Sequence, residues 1–392
     1  MPLVDVHPFA SHLPVRISFG DGAIGELPRV LGEAGVRSAA VLVEAPVAEA
    51  PAVVEALAAC EAAGIAITRQ VKEPGEPSLA ATDAFAELAR STGGEAIVGI
   101  GGGSALDLAK AARIVVSQGG SIARFVGGAT PLEEPTVPLV LVPTTAGTGA
   151  EVSGASVLTD KSTGRKHVIA GPRARATYAL VDPLLTTGLP PAPTAHTGID
   201  ALAQAIGGTI VLDGNPLSVA VGLEAVRHLA RAVPRAVADG SDLDARREQA
   251  MGSLLAGLAM NLSDCSADHS LGQALGSLLG LPHGLTIGLV LAETLDVSRG
   301  ECADRLERVA DALGEPDDGT GDGSRAVRGV RRILREVSFP TGRDAGLRPE
   351  HVDDLTRMAL EEQSFFLEVD PHTWTAADVR HAYGQILAID AR

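Results

Sequence analysis

Cysteine is scarce in this chain of 392 residues: it has three, at positions 60, 265 and 302. They show no paired-ligand spacing and build no disulfide framework, which suits a reducing cytoplasm. Cys265 lies near His269, and a buried, inert thiol is its simplest reading. Basic residues are also few, 32 Lys and Arg against 49 Asp and Glu, for a formal net charge of −17. That balance excludes a nucleic-acid backbone or an anionic membrane as partner, since both select clusters of Lys and Arg. Small molecules are the expected partners. Long apolar runs are missing too, and the opening MPLVDVHPFASHLPVRISFG has neither a basic start nor an extended hydrophobic stretch. A soluble, cytoplasmic protein is therefore expected. No internal repeat of fixed period is present.

What is present is a hydrophobic content of 45%, enough for two domains with substantial cores. Gly and Pro number 45 and 24, below the level that signals disorder. The first half alternates short β-branched runs, at 39–44, 64–68, 95–100 and 138–143, with Ala/Leu-rich segments. That alternation predicts a parallel α/β sheet. After VDPLLTTGLPPAPTA (181–195) the pattern becomes helical, so an α/β domain over 1–186 and an all-helical domain over 187–392 are expected. GEPDDGTGDGSRA (314–326) reads as a solvated loop between helices. DPHTWTAADVRHAYGQIL, with the only tryptophan, Trp374, reads as a packed last helix.

Two loops in the first half have the character of nucleotide-binding turns. EAIVGI runs into GGGS (101–104) and then ALDLAKAARIV. The expected helix has Ser104 as its N-cap and Asp107 three residues on. Such a turn offers free N–H groups and the positive end of a helix dipole to a pyrophosphate, and Gly101, Gly102 and Gly103 allow close approach. Ser104 stands where G-x-G-x-x-G has its third glycine, so the fingerprint is not strict, and a simple tight turn is the alternative. PTTAGTGAEVS (143–153) places Thr144, Thr145 and Thr148 among glycines after another strand, where an ordinary βα connection is the alternative. Glu44 ends the strand AAVLV, where a carboxylate accepts hydrogen bonds from ribose hydroxyls and repels a 2′-phosphate. NAD is accordingly expected over NADP. Lys166, in GRKHVIAG, either approaches the cofactor or covers the surface.

In the second half, Asp200, His269 and His283 sit within GIDALAQAI, DHSLGQALG and GLPHG. One continuous helix would hold the two histidines about 21 Å apart along its axis. Gly276, Gly280 and Pro282 break it, so the chain can fold back and return His283 to the same point. Two imidazoles and a carboxylate form a mixed N/O set suited to Zn²⁺ or Fe²⁺, with a position left open for substrate. Singly, each is an ordinary core or surface polar residue.

The stretches GIGGGSALDLAKA, PTTAGTGAEVS, VDPLLTTGLPP, GIDAL and GLPHG, in this order, resemble the iron-containing alcohol dehydrogenase family, a metal-dependent group with the dehydroquinate synthase-like fold. The resemblance spans roughly residues 15 to 300. It implies an N-terminal dinucleotide-binding α/β domain and an all-helical C-terminal domain, with metal and nicotinamide in the cleft between them. It also implies NAD(P)-dependent interconversion of an alcohol and a carbonyl, by a homodimer or larger homo-oligomer. Glu44 matches an acidic residue at the adenosine ribose, and Gly101, Gly102, Gly103 and Ser104 match the pyrophosphate loop. Thr144, Thr145 and Thr148 match the second loop, and Lys166 a basic residue near the nucleotide.

Asp200, His269 and His283 match metal ligands, but Gln204 and Gln273 stand where relatives usually carry histidine. Glutamine can present a carbonyl oxygen to a hard metal, yet it ligates more weakly than imidazole and shuttles no proton near neutral pH. The remaining Asp-His-His set resembles the three-ligand arrangement of the glycerol dehydrogenase branch. His196, four residues before Asp200, replaces a small residue and is either an acid/base group or a helix-start histidine. Three other readings stand beside the dehydrogenase. They are oxidation of a β-hydroxy acid, for instance at a peptide end, with loss of CO₂; a dehydroquinate synthase-like lyase; and a non-catalytic nucleotide-binding protein.

Overall fold

The computed structural model describes residues 9–388. One unit takes in His12–Thr145 and Gly149–Gly188. It begins with β1 (Arg16–Phe19), α1 (Leu27–Glu33), β2 (Ser38–Glu44), α2 (Pro51–Ala62), β3 (Ala66–Lys72), α3 (Leu79–Ser91), β4 (Ala96–Gly101) and α4 (Gly103–Gln118). It continues with β5 (Leu139–Pro143), β6 (Ala155–Asp160), β7 (Arg165–Ala170) and β8 (Tyr178–Val181). Six of these strands form a wholly parallel sheet in the order β1-β8-β5-β4-β2-β3. The four strands expected from the apolar runs are all in it. Its short edge strand β1 and the strand β8 lack a distinctive alternation and were not expected.

Both faces of the sheet are covered, which is why its central strands read as continuous apolar runs. Along β2 the period of two sends Ala40 and Leu42 to the face packed by Phe85 of α3 and Leu106 of α4. Val41 and Val43 meet Val30 of α1 and Val53 of α2 on the other. Between β2 and β4 the winding reverses, since the chain first moves outward to β3 and then returns past β2. Ligands of doubly wound sheets bind at the carboxyl ends of the strands flanking such a reversal. Here those ends are Glu44 and Gly101.

The second unit runs from Leu189 onward and includes Ala146–Thr148. Its helices are α5 (Pro191–Ile210), α6 (Pro216–Ala238), α7 (Leu243–Leu262), α8 (Ala267–Leu279) and α9 (His283–Ser298). There follow α10 (Ala303–Leu313), α11 (Ser324–Glu336), α12 (Val352–Glu361), α13 (Phe365–Glu368) and α14 (Ala376–Ala388). Helix α5 is buried on nearly every side from Gly198 to Ile210, as befits a helix that is apolar all round. Residues 314–323 form a loop, as expected, while Ser324, Arg325 and Ala326 of the expected loop already belong to α11. Trp374 is buried and donates its indole N–H to Asp370 at 3.1 Å, in keeping with a packing role. Among the described residues, no helix is long and apolar enough to cross a membrane.

Candidate functional site

In the α/β unit, β4 delivers Gly101 to the carboxyl edge of the sheet, where a side chain would not fit. A Cβ there would lie 2.7 Å from the Ala105 Cβ and 2.8 Å from the Glu44 Cβ. Glu44 holds the loop itself: its Oε2 accepts the Gly102 N–H at 2.9 Å, and its Oε1 accepts from the Ser104 hydroxyl at 3.3 Å. Lys72, whose end is buried, reaches Ser104 at 3.0 Å, Glu44 at 3.4 Å and the carbonyl of Gly75 at 2.8 Å. Nothing in the sequence singled out Lys72, which stands opposite Glu44 only because β2 and β3 pair in that register.

Two details of the loop differ from expectation. Gly102, and not Ser104, is the N-cap of α4. Ser104 lies inside the first turn because the helix starts as soon as the glycines permit. Asp107 does not close a capping box. One oxygen pairs with Lys110 at 2.8 Å and the other accepts the Val157 N–H at 2.9 Å, so its carboxylate ties α4 to β6. The second loop also departs from a βα connection, since it leads into the antiparallel pair β6–β7. Thr144 is buried there and donates its N–H to the Gly101 carbonyl at 3.0 Å, while Thr145 is half-buried. Thr148, half-buried, falls in the helical unit. Lys166 on β7 pairs with Glu76 at 2.5 Å.

In the helical unit, α5 carries His196, Asp200 and Gln204 on successive turns of one face. The expected break between the histidines is present: α8 ends at Gly280 in the left-handed region (φ 67°), Pro282 follows, and His283 opens α9. Glycine lets these helices approach closely. A Cβ on Gly284 would meet the His196 carbonyl oxygen at 2.4 Å, and one on Gly272 of α8 would meet the Ile287 Cδ1 of α9 at 2.5 Å. The result brings Asp200, His269 and His283 together, with one ligand atom from each within 4.8 Å of the others. Asp200 Oδ1 lies 3.5 Å from His283 Nε2 and 3.7 Å from His269 Nε2.

These residues fit a divalent cation. Asp200 is 1% exposed, yet its Oδ1 has no hydrogen-bond partner, and Gln204, 3% exposed one turn on, has a buried Oε1 in the same condition. Unpartnered buried acceptors are costly unless something electropositive meets them. Electrostatics point the same way. Burial lowers the His269 pKa, but Cys265 and Asp268 together raise it well above the ordinary value. Burial also pushes the Cys265 thiol up to about 11, so near neutral pH it is uncharged and Asp268 is the effective partner. Asp268 thus favours positive charge at His269, carried as a proton or as a metal.

His196 is half-buried, its pKa lowered by burial, with its ring edge-on to Phe339 at 5.5 Å. Gln273 is half-buried on α8. Three features of the site escaped sequence reasoning: Asp268, Phe366 with its ring 5.6 Å from that of His269, and Asp370, which accepts the Ala267 N–H at the start of α8. Helical periodicity could not reveal Asp268, because neighbouring residues on a helix point about 100° apart.

Comparison with known proteins identifies the family. The family model for iron-containing alcohol dehydrogenase matches residues 14–183, and that for the C-terminal part of the same family matches residues 194–387. The chain is 33% identical over 314 residues to long-chain-alcohol dehydrogenase 1 of Geobacillus thermodenitrificans, covering 79% of each chain. It is 31% identical over 367 residues to the probable alcohol dehydrogenase EutG of Salmonella typhimurium, covering 93% of this chain and 91% of the other. Its fold is similar to sulfoacetaldehyde reductase from Bifidobacterium kashiwanohense, solved in complex with NAD+, with a TM-score of 0.89 and 27% identity over 98% of this chain and all of that one. The chain belongs to the iron-containing alcohol dehydrogenase family.

Proposed function

We propose that the protein interconverts an alcohol and a carbonyl compound by metal-assisted hydride transfer to or from NAD. The observation that carries this reading is the gathering of Asp200, His269 and His283 around a buried carboxylate oxygen with no hydrogen-bond partner. When bound, a divalent metal, Fe²⁺ or Zn²⁺, supplies Lewis-acid polarisation of the substrate oxygen. Asp200 contributes negative charge to its binding, His269 and His283 a nitrogen each, and Gln204 a neutral carbonyl oxygen. On the nucleotide side, the first N–H groups of α4, at Gly103 and Ser104, have no intrahelical acceptor and suit a pyrophosphate. Thr144, Thr145 and Thr148 line the second loop, with Lys166 as a further basic contact. Glu44 holds the glycine loop in shape and disfavours a 2′-phosphate, so NAD is preferred to NADP.

Gln273 has no proton to exchange near neutral pH, which leaves proton transfer to His196, water or a cofactor hydroxyl. The three cysteines, all buried and free of disulfides, suit a cytoplasmic enzyme, which we take to act as a homodimer or larger assembly, with a functional division near residue 187. The decarboxylating, lyase and non-catalytic readings gain no support from the relatives.

The test is Asp200→Ala, with metal measured by elemental analysis, NADH binding by fluorescence and turnover by an NAD-linked alcohol screen. About one iron or zinc per chain is expected in the original protein, three protein ligands being sufficient for such a site. The variant should lose both metal and turnover while still binding NADH. Equal metal content and activity in the two proteins would sink the proposal.

A further inference from the structure

Asp268 is fully buried beside a residue of the metal site, and its carboxylate is engaged on both sides. Oδ1 lies 2.5 Å from His269 Nδ1, and Oδ2 accepts the Ser266 hydroxyl at 2.9 Å. A carboxylate oxygen has no hydrogen to offer, so the proton in the contact with His269 sits on Nδ1. The opposite nitrogen, Nε2, is the one that faces Asp200, at 3.7 Å. That separation is too long for a hydrogen bond, so Nε2 is not consumed by the carboxylate it faces. Asp268 therefore holds the ring by its Nδ1 edge and leaves Nε2 on the side of Asp200, with the Cys265 thiol a further neighbour of the ring.

We infer that Asp268 is the positioning residue of this metal site: by accepting the Nδ1 hydrogen it holds the His269 ring so that Nε2 is the nitrogen turned toward Asp200 and left for a metal. The inference rests on the metal-binding reading above and adds a residue that does not itself touch the metal. A carboxylate behind a ligating imidazole fixes the ring's orientation and makes it a stronger donor. The candidate metal group has two imidazoles, His269 and His283, so the support behind His269 bears directly on its affinity.

The surroundings keep Asp268 in place. Asp370 Oδ2 accepts the Ala267 N–H at 3.0 Å, and its Oδ1 accepts the hydroxyl of Ser298, the last residue of α9, at 2.7 Å. One buried carboxylate thus ties the start of α8 to the end of α9. Phe366 lies edge-on to the His269 ring, with the centroids 5.6 Å apart.

The experiment compares the Zn²⁺ affinity of the full chain with Asp268→Ala, Asp268→Asn and Ser266→Ala, by competition with a chromophoric chelator. It also records ¹⁵N–¹H spectra of the histidines in the zinc-loaded original protein, with His269 assigned through His269→Gln. Asp268→Ala should bind zinc on the order of 10- to 100-fold more weakly. Asp268→Asn, which still offers an oxygen to Nδ1 but no charge, should recover part of the loss, and Ser266→Ala should show a smaller deficit. His269 should carry its hydrogen on Nδ1 and the metal on Nε2. Zinc affinity in Asp268→Ala within twofold of the original, or metal on Nδ1 of His269, overturns the inference while leaving the metal site itself intact. An original protein that takes up no zinc or iron overturns the proposed function, and the inference with it. Should Asp268→Ala not fold, the tautomer in the original protein and the affinity of Ser266→Ala still decide the question.

Discussion

Single side chains in this protein often serve the backbone before they serve a ligand. Glu44 is the clearest case. As a strand-terminal carboxylate it reads as a ribose acceptor, and in the fold it also accepts the Gly102 N–H and the Ser104 hydroxyl. Its charge and its acceptor geometry can be separated experimentally. Glu44→Gln retains an amide oxygen for Gly102 and loses the negative charge that opposes a 2′-phosphate. The ratio of kcat/KM for NADP to that for NAD should rise roughly tenfold, the equivalent of about 1.4 kcal/mol from removing one like-charge contact. An unchanged ratio in steady-state assays would mean that Glu44 acts on the loop alone. Asp107 shows the opposite outcome. Its position three residues after Ser104 predicts a capping role at the start of α4, whereas Lys110 and the Val157 N–H take its two oxygens.

Helices assemble the site through what they lack at their crossings. The start of α9 rests on α5 because Gly284 has no side chain, and the His196 carbonyl would lie only 2.4 Å from a Cβ there. Backbone cannot yield as the tip of a flexible side chain does, so Gly284→Ala must move α9. Overpacking of this kind costs about 1–3 kcal/mol, and here the displaced residue next in chain is His283. The variant should lower the urea midpoint and lose metal, while Gly300→Ala, where nothing lies within 4 Å, should do neither. A Gly284→Ala protein with full metal content would show that His283 is not placed by this crossing. The helix break between His269 and His283 was legible from Gly280 and Pro282, since those residues act locally. The closeness of Gly284 to His196 was not, because it depends on two segments more than eighty residues apart in sequence.

The molecule as a whole is acidic, and one buried acid sets a term in its stability. Glu151 is 3% exposed, and burial raises its carboxyl to about 7, against partial relief from its own backbone and Lys110. Unfolded, the group ionises near its ordinary 4.5. Between those values the folded chain keeps a proton that the unfolded chain releases, so stability falls as pH rises, by at most about 1.4 kcal/mol per pH unit. The loss is complete above the folded value and absent below the unfolded one. Glu151→Gln should remove this slope, and urea unfolding of both proteins between about pH 5 and 7 checks it: parallel profiles would refute the raised carboxyl.

The sequence by itself determined the alternating α/β half, the helical half, the glycine loop after β4, and the residues Asp200, His269 and His283. These are written in local periodicity, in the breaking power of glycine and proline, and in the few side chains able to hold a metal. Only the tertiary structure decided that Glu44 and Lys72 brace the loop, that Gly102 starts α4, and that Asp268 stands behind His269. Strand register sets Glu44 opposite Lys72 across segments distant along the chain, whereas Asp268 and His269 are neighbours whose contact follows from the burial of both at the start of α8, where polar groups must find partners.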